Sequence, residues 1–169
     1  MTPALKEASP TTAVSVHDVV AYILSKTGKI SVWKLQKLVY YAQVWSLVWD
    51  DAPLFPEKIY AWGNGPCVEA LYEFHKGQFS ISTWRRGKRS HLTSEQKETL
   101  DEIIASYGPL DGWHLSRLVQ CELPWKEARG DLPISIRGHQ EIKPVTLQEY
   151  YTALSADDSL PSIGEIVWE

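Results

Sequence analysis

Two cysteine–histidine pairs contain the residue types that could hold a metal ion. Cys67 and His75 lie eight positions apart and His114 and Cys121 seven apart, each pair on one predicted helix. At a rise of about 1.5 Å per residue, these spacings separate the two members of a pair by ~10–12 Å. Ligands of one zinc ion must lie much closer together, and no C-x-x-C or H-x-x-x-H spacing occurs. We therefore expect core thiols, half-buried imidazoles, no metal and no cofactor.

The one dense group of cationic side chains is the run Arg85-Arg86-Gly87-Lys88-Arg89, which follows Trp84 and precedes His91. Four cations on one loop could neutralise phosphates, and the indole of Trp84 could stack on a base. The same loop could equally be a solvated surface, or it could meet an acidic patch on another protein. The formal net charge of -4 disfavours nucleic acid, because the chain has no bulk attraction for it.

No residue pattern in the chain is typical of a catalytic site. G-x-S-x-G and the known cysteine nucleophile signatures are absent. Gly63-Asn64-Gly65 matches neither a Walker A loop nor a dinucleotide fingerprint, and a turn explains it. Most Asp and Glu residues lie at helix starts, where capping explains them. We expect that the protein is not an enzyme.

The main predicted element that positions these residues is a long apolar helix. It begins after Ser31, its predicted N-cap. Its main stripe consists of Leu35, Leu38, Val39, Ala42, Trp45 and Trp49. A helix that is apolar around most of its circumference is normally buried within a domain. The exception is the side that carries Trp33, Lys34, Lys37 and Tyr41. Aromatic rings between lysines could form an exposed binding surface, or a buried ring flanked by lysine stems.

Start and stop signals divide the rest of the chain into further helices, about six or seven in total. Ser15 with Asp18 and Thr93 with Gln96 are capping boxes, and Asp111 is a further N-cap. Two more helix starts are predicted. Pro66 is expected at the first position of a helix that follows the Gly63–Gly65 turn, and Thr146 with Glu149 is expected to cap the last helix.

Short alternating segments at residues 58–62 and 79–84 predict a small β-hairpin-like element, and Ile134 with Ile136 could form another strand. The fold class is therefore mainly α, a compact helical domain with this small element. The expected core consists of Val20, Ile23, Leu24, Leu35, Leu38, Val39, Ala42, Trp45, Leu71, Tyr72, Ile103, Ile104, Leu118 and Trp125.

The length of 169 residues and the hydrophobic content of 44% fit one domain with a real core. We expect a flexible tail at residues 1–14, the domain at 15–154, and a tail at 155–169 that docks on the domain or reaches a partner. No apolar run reaches the ~18 residues that a membrane helix needs, and the first residues lack the apolar segment of a secretory signal. A cytoplasmic protein with no membrane partner is the expectation.

Four segments, taken in order, resemble the Panacea domain family, the SocA-like antitoxins of bacteria and their phages. They are VVAYILSKTGKISVWKLQKLVYYAQVWSL, APLFPEKIYAWGNGPCVEALYEFHK, TSEQKETLDEIIASYG and ELPWKEAR. Together they cover most of Val16 to Ala128. The chain departs from the family pattern at Gln120-Cys121, where such domains often carry Thr-His.

This resemblance implies a domain that neutralises a cognate toxin by direct protein contact. For SocA-like members it also implies an adaptor that delivers the toxin to a cytosolic AAA+ protease. The residues do not distinguish neutralisation by binding from delivery to the protease. They also do not exclude a homo-oligomer. Mixed aromatic and cationic groups are the candidate contacts: Trp33, Lys37, Tyr41, Trp62, Asn64, Arg85, Arg86, Lys88 and Arg89. The alternative is a DNA-binding regulatory protein that uses the basic loop at residues 85–89.

Overall fold

A computed structural model describes residues 13–157 of the protein. The helices are α1 Val16–Thr27, α2 Val32–Trp49, α3 Glu69–His75, α4 Ser94–Tyr107, α5 Gly112–Gln120, α6 Leu123–Arg129 and α7 Pro144–Ser155. The strands are β1 Ile30–Ser31, β2 Ile59–Trp62, β3 Gly65–Val68, β4 Ser80–Ile81 and β5 Glu141–Ile142. The predicted mainly α fold is confirmed. The predicted tails lie outside the described residues, except for residues 13–14 and 155–157.

Helix α2 lies at the centre, in contact with α4, α5, α7 and β3. Twelve of its eighteen residues are buried, and they lie on all sides of the helix. This burial explains why its sequence is apolar around most of the circumference. The predicted core is confirmed, except that Trp45, Tyr72, Ile104 and Leu118 are only partly buried.

The buried amide of Gln43 fastens the chain that follows α2 to the middle of that helix. Its Nε2 donates to the backbone O of Phe55 at 2.8 Å. Its Oε1 accepts from the backbone N of Leu54 at 2.7 Å and of Phe55 at 3.3 Å. Both ends of the amide are satisfied, as a buried Gln requires.

Two small antiparallel sheets complete the described fold. The predicted hairpin-like element is present, but its second strand is β3, which pairs with β2 in the register Tyr60↔Cys67. The segment predicted as residues 79–84 contributes only β4, and β4 pairs with β1. Strand β5, and not the predicted strand at Ile134 and Ile136, pairs with the other edge of β2.

Two helix starts differ from the sequence predictions. Pro66 lies in β3 opposite Ala61, and α3 starts three residues later. An edge strand tolerates proline, because one side of it makes no ladder hydrogen bonds. The last helix starts at Pro144 and not after Thr146, because proline already has the backbone φ of a first helical position.

Candidate functional site: the hairpin pocket

A cavity of about 400 Å³ opens between α2, the turn that joins β2 to β3, α3 and residues 134–137. We call it the hairpin pocket. Trp33, Lys37, Trp62 and Asn64 line it, so the structure brings four predicted contact residues together. The lining also includes Tyr72, His75 and Arg137, and it contains no Asp or Glu.

Two glycines shape the turn at the edge of the pocket. A Cβ atom at Gly63 would collide with the backbone O of Ile134. Gly65 has a φ of +126°, and a Cβ there would lie 2.6 Å from Cε of Lys37. Gly63 therefore has no space for a side chain, and the positive φ of Gly65 is a backbone conformation that favours glycine.

Gln36 fixes the inner wall of the pocket. Its Oε1 accepts from the backbone N of Val68 at 2.9 Å, and its Nε2 donates to the backbone O of Val68 at 3.2 Å. The same Nε2 lies 3.0 Å from Nε2 of His75. An amide nitrogen only donates, so this imidazole nitrogen accepts and the proton of the neutral ring lies on Nδ1. Burial also lowers the pKa of His75, which favours the neutral ring.

Lys37 brings an ammonium group to the pocket. The residue is only 3% exposed, and its Nζ donates one long hydrogen bond, to the backbone O of Pro66 at 3.4 Å. Burial lowers the pKa of Lys37 to about 8. Burial also raises the pKa of Cys67 to about 12, so this neighbour is a neutral thiol and supplies no counter-charge. No carboxylate in residues 13–157 lies within ion-pair distance of Lys37.

The segment 130–138 contributes the outer wall of the pocket, through Ile134, Ser135 and Arg137, and Arg129 holds this segment in place. The buried guanidinium donates to four backbone carbonyl oxygens at 2.6–3.0 Å. They belong to Ala61, Pro133, Ile136 and Arg137. One side chain thus ties the outer wall to strand β2. No spacing in the sequence indicates this role of Arg129.

Arg137 covers the aromatic side of the pocket. Its Cζ lies 4.3 Å from the ring centroid of Trp62 and 4.9 Å from that of Tyr72, distances typical of cation–π contacts. Its Nη2 donates to the hydroxyl of Tyr72 at 3.1 Å. The side chain remains exposed, and no carboxylate of the described residues pairs with it. Arg137 is not among the predicted contact residues, because it lies apart from the long helix, the turn and the basic run that contain them.

The prediction that Lys37 and Tyr41 share an exposed face is wrong. Tyr41 is fully buried, stacks on Tyr107 at 4.1 Å, and donates from its hydroxyl to Oε1 of Glu122 at 2.7 Å. Lys37 borders the pocket and not the outer surface. The physical reason is that Tyr107 of α4 and Tyr151 of α7 pack against Tyr41. Gly65 and Pro66 of β3 lie against the side chain of Lys37. The alternative prediction, a buried ring flanked by lysine stems, fits the buried positions of Tyr41 and Lys37.

The basic loop lies away from the pocket, against the first turn of α1. The buried Asp18 carboxylate accepts from the backbone N of Lys88 at 2.8 Å and lies 3.1 Å from Nδ1 of His91. Trp84 donates from its indole to Nδ1 of His17 at 3.1 Å, so its polar edge is already used. The predicted residues Arg85, Arg86, Lys88 and Arg89 are exposed, and none of them lines the hairpin pocket.

Asp18 therefore connects the capping of α1 with the position of the basic loop. Burial alone would raise the pKa of its carboxyl, but the hydrogen bonds from Ser15 and Lys88 hold that pKa below its usual value.

We expect Asp18→Ala to lower the free energy of unfolding by about 2 kcal/mol, because two backbone donors lose their acceptor. Urea unfolding measures this loss, and faster trypsin cleavage within residues 85–89 would show the released loop. The matched control is Glu95→Ala, an exposed first-turn residue of α4. An equal effect of both variants would contradict the prediction.

The family profile described as "Antitoxin SocA-like, Panacea domain" matches residues 35–126. The chain belongs to this family. No curated protein and no solved structure matches the chain in the two other comparisons. The matched part of the Panacea domain contains most of α2, the hairpin and α3, and thus the inner wall of the pocket. Arg129 and the outer wall lie beyond the match, so this part of the pocket is not covered by the family profile.

Among residues 13–157, no three His, Cys, Asp or Glu side chains are grouped in a way that could hold a metal ion. Cys67 lies in β3, and not on a helix with His75 as the sequence suggested. None of the helices in the described part of the Panacea-domain protein has the length and apolarity needed to cross a bilayer.

Proposed function

We propose that this protein is a cytoplasmic antitoxin that neutralises a cognate toxin by direct binding, without catalysis. Membership of the antitoxin family supports the functional class. The observation that carries the proposed binding surface is a group of exposed large apolar side chains that line the hairpin pocket or lie on backbone next to it. We call this group the aromatic rim. It consists of three aromatic residues, Trp33, Phe79 and Trp113, and the aliphatic Ile134.

The members of the aromatic rim are connected through neighbouring backbone. Trp33 and Ile134 line the pocket itself. Phe79 accepts, with its backbone O, a hydrogen bond of 3.0 Å from the backbone N of Val32, the residue before Trp33. The Cβ of Trp33 lies against Gly112, the residue before Trp113. Exposed apolar patches of this kind mark interaction surfaces, and Trp is enriched at the residues that dominate binding energy.

The chemistry of the pocket also favours binding over catalysis. Cys67 is a thiol whose pKa is raised to about 12 by burial, so it is a poor nucleophile at neutral pH. The acceptor nitrogen of His75 is occupied by Gln36 and does not face that thiol as a base. A standard interface of ~1,200–2,000 Å² could include both the rim and the pocket.

The double variant Trp33→Asp/Trp113→Asp tests the proposed surface. We expect it to bind the toxin at least ~30-fold more weakly, since hot-spot truncations cost about 2 kcal/mol or more. The toxin is first identified as a co-purifying protein that arrests growth when it is expressed alone. Rescue of growth and binding to the pure toxin are then measured.

The matched control is Trp49→Asp, at the far end of α2 from Trp33. Trp49 is 49% exposed and Trp33 41%, so the two tryptophans are similarly accessible. Wild-type rescue by the rim variant, with its helical content preserved, would exclude the rim as the toxin surface. The two modes of neutralisation are distinguished by the half-life of the toxin, which only delivery to an AAA+ protease would shorten.

The DNA-binding alternative remains a prediction. It requires the exposed cations at residues 85–89 to contact phosphates, and binding should then weaken steeply with salt. Absence of a gel shift with duplex DNA at low salt would exclude it.

A further inference from the structure

The hairpin pocket carries positive charge without a counter-ion. Lys37 and Arg137 both line it, and its lining contains no acidic residue. Removing an ammonium group from water is costly unless an anion or several hydrogen bonds replace the lost hydration. Lys37 has only the 3.4 Å hydrogen bond to Pro66 as compensation.

Two hydrogen-bond donors that line the same pocket are also unpaired. Nε1 of Trp62 and Nδ1 of His75 are buried and have no hydrogen-bond partner on any other described residue. With the Gln36 amide on Nε2 of His75, the unpaired Nδ1 carries the proton. Buried donors in native proteins are nearly always paired. The pocket therefore combines two cations with two unused N–H groups, a set that is complementary to an anion with several acceptor oxygens.

Arg137 lies where its guanidinium can bind an anion that enters the pocket. Its guanidinium lies over the Trp62 ring and contributes to covering the indole. A guanidinium fork binds a carboxylate through two parallel hydrogen bonds, which is stronger than its contacts with two rings and one hydroxyl. An entering anion would thus draw Arg137 away from the rings and expose the donor of Trp62.

We propose that the hairpin pocket receives a carboxylate group of the partner polypeptide, held between Lys37 and Arg137. The partner is a polypeptide because the aromatic rim offers more apolar surface than a small ion could cover. The anion is a carboxylate because this is the anionic group that an unmodified polypeptide carries. The proposal rests on the proposed function, in which the toxin is that polypeptide.

The test follows the indole N–H signal of Trp62 by NMR in the ¹⁵N-labelled full chain, with the signal assigned by Trp62→Phe. The probes are acetyl-Leu-Glu-amide, its uncharged analogue acetyl-Leu-Gln-amide, acetyl-Leu-Phe with a free C-terminus, and inorganic phosphate. We expect a saturable shift with at least one of the carboxylate peptides and at least ~10-fold weaker binding of the Gln analogue. Saturable binding of the Gln analogue as tight as that of the carboxylate peptides, no response to any peptide, or a response to phosphate alone would overturn the proposal.

Lys37→Met separates binding from folding, because Met has a similar shape without the charge. We expect at least ~10-fold weaker peptide binding, while the stability of the variant is equal to or above that of the wild type. The matched control is Lys34→Met, on the same helix, whose Nζ donates to the backbone O of Gly108 at 2.6 Å and does not line the pocket. If Lys37→Met fails to fold, the exposed Arg137→Gln replaces it, with the same expected loss.

The outcomes also separate this proposal from the proposed function. Wild-type peptide binding by Lys37→Met and Arg137→Gln would refute the carboxylate site, even if the protein neutralises a toxin. Peptide binding that depends on Lys37, in a protein that neutralises no toxin, would support the site and refute the antitoxin function.

Discussion

The stability advantage of the Glu122→Gln variant over the wild-type chain is expected to grow by roughly 2–3 kcal/mol as the pH rises from 5 to 8. The cause is the environment of the carboxyl group. Oε1 of Glu122 accepts from the hydroxyls of Tyr41 and Tyr151, each at 2.7 Å. Burial raises the pKa of Glu122 to about 7, although these two hydroxyls favour the charged form.

The contribution of Glu122 to the stability of the wild type falls with rising pH because this residue loses its proton at different pH values in the folded and the unfolded chain. In the unfolded chain Glu122 loses its proton near its ordinary pKa of 4.5, whereas the folded chain keeps it until about pH 7. The contribution of this group to stability is therefore complete below pH 4.5 and disappears as the pH rises through 7. Glutamine resembles the protonated acid and retains an oxygen for both tyrosine hydroxyls, so the variant lacks this loss.

The measurement is urea unfolding of both proteins at pH 5, 6, 7 and 8. The difference between variant and wild type is the informative quantity, because the lowered pKa values of His17 and His75 make stability rise with pH in the same range. Glu127→Gln, an exposed residue on α6, the helix that begins directly after Glu122, is the matched control. A difference between Glu122→Gln and wild type that does not vary with pH would contradict the prediction.

Local signals in the sequence predicted most helix starts. Ser15, Ser31, Thr93 and Asp111 are N-caps in the structure as predicted. Their side chains bond to backbone N–H groups two or three residues ahead, so the neighbouring sequence contains the whole interaction. Gly28 is the C-cap of α1 with a φ of +71°, a conformation that few other residues adopt.

The candidate site was only partly predictable, because distant segments decide which residues are exposed. Trp33 and Asn64 are exposed as expected, but Lys37 and Tyr41 are covered by elements that the local pattern does not reveal. A buried lysine without a counter-ion also contradicts the usual rule that buried charges are paired. No analysis of spacing would therefore have placed Lys37 in a pocket.

Arg129 is the clearest case of a role without a sequence signal. Three of its four acceptors lie in the irregular segment that follows it, and the fourth, Ala61, is distant in the chain. Arg129→Met should lower the free energy of unfolding by about 3–5 kcal/mol, since four backbone oxygens lose their donor at once. Urea unfolding measures the loss, and faster proteolysis within residues 130–138 would show that the outer wall has detached from β2.

Arg129→Lys should recover only part of this stability, because an ammonium group lacks the planar fork that reaches two acceptors from each terminal nitrogen. The exposed Lys126→Met on the same helix is the control for loss of positive charge. If Arg129→Met remains within about 1 kcal/mol of the wild type, the guanidinium does not hold the wall. If the wall detaches as expected, Ile134 leaves the aromatic rim and Arg137 leaves the pocket. Toxin binding and peptide binding should then both weaken, although Arg129 itself lines neither surface.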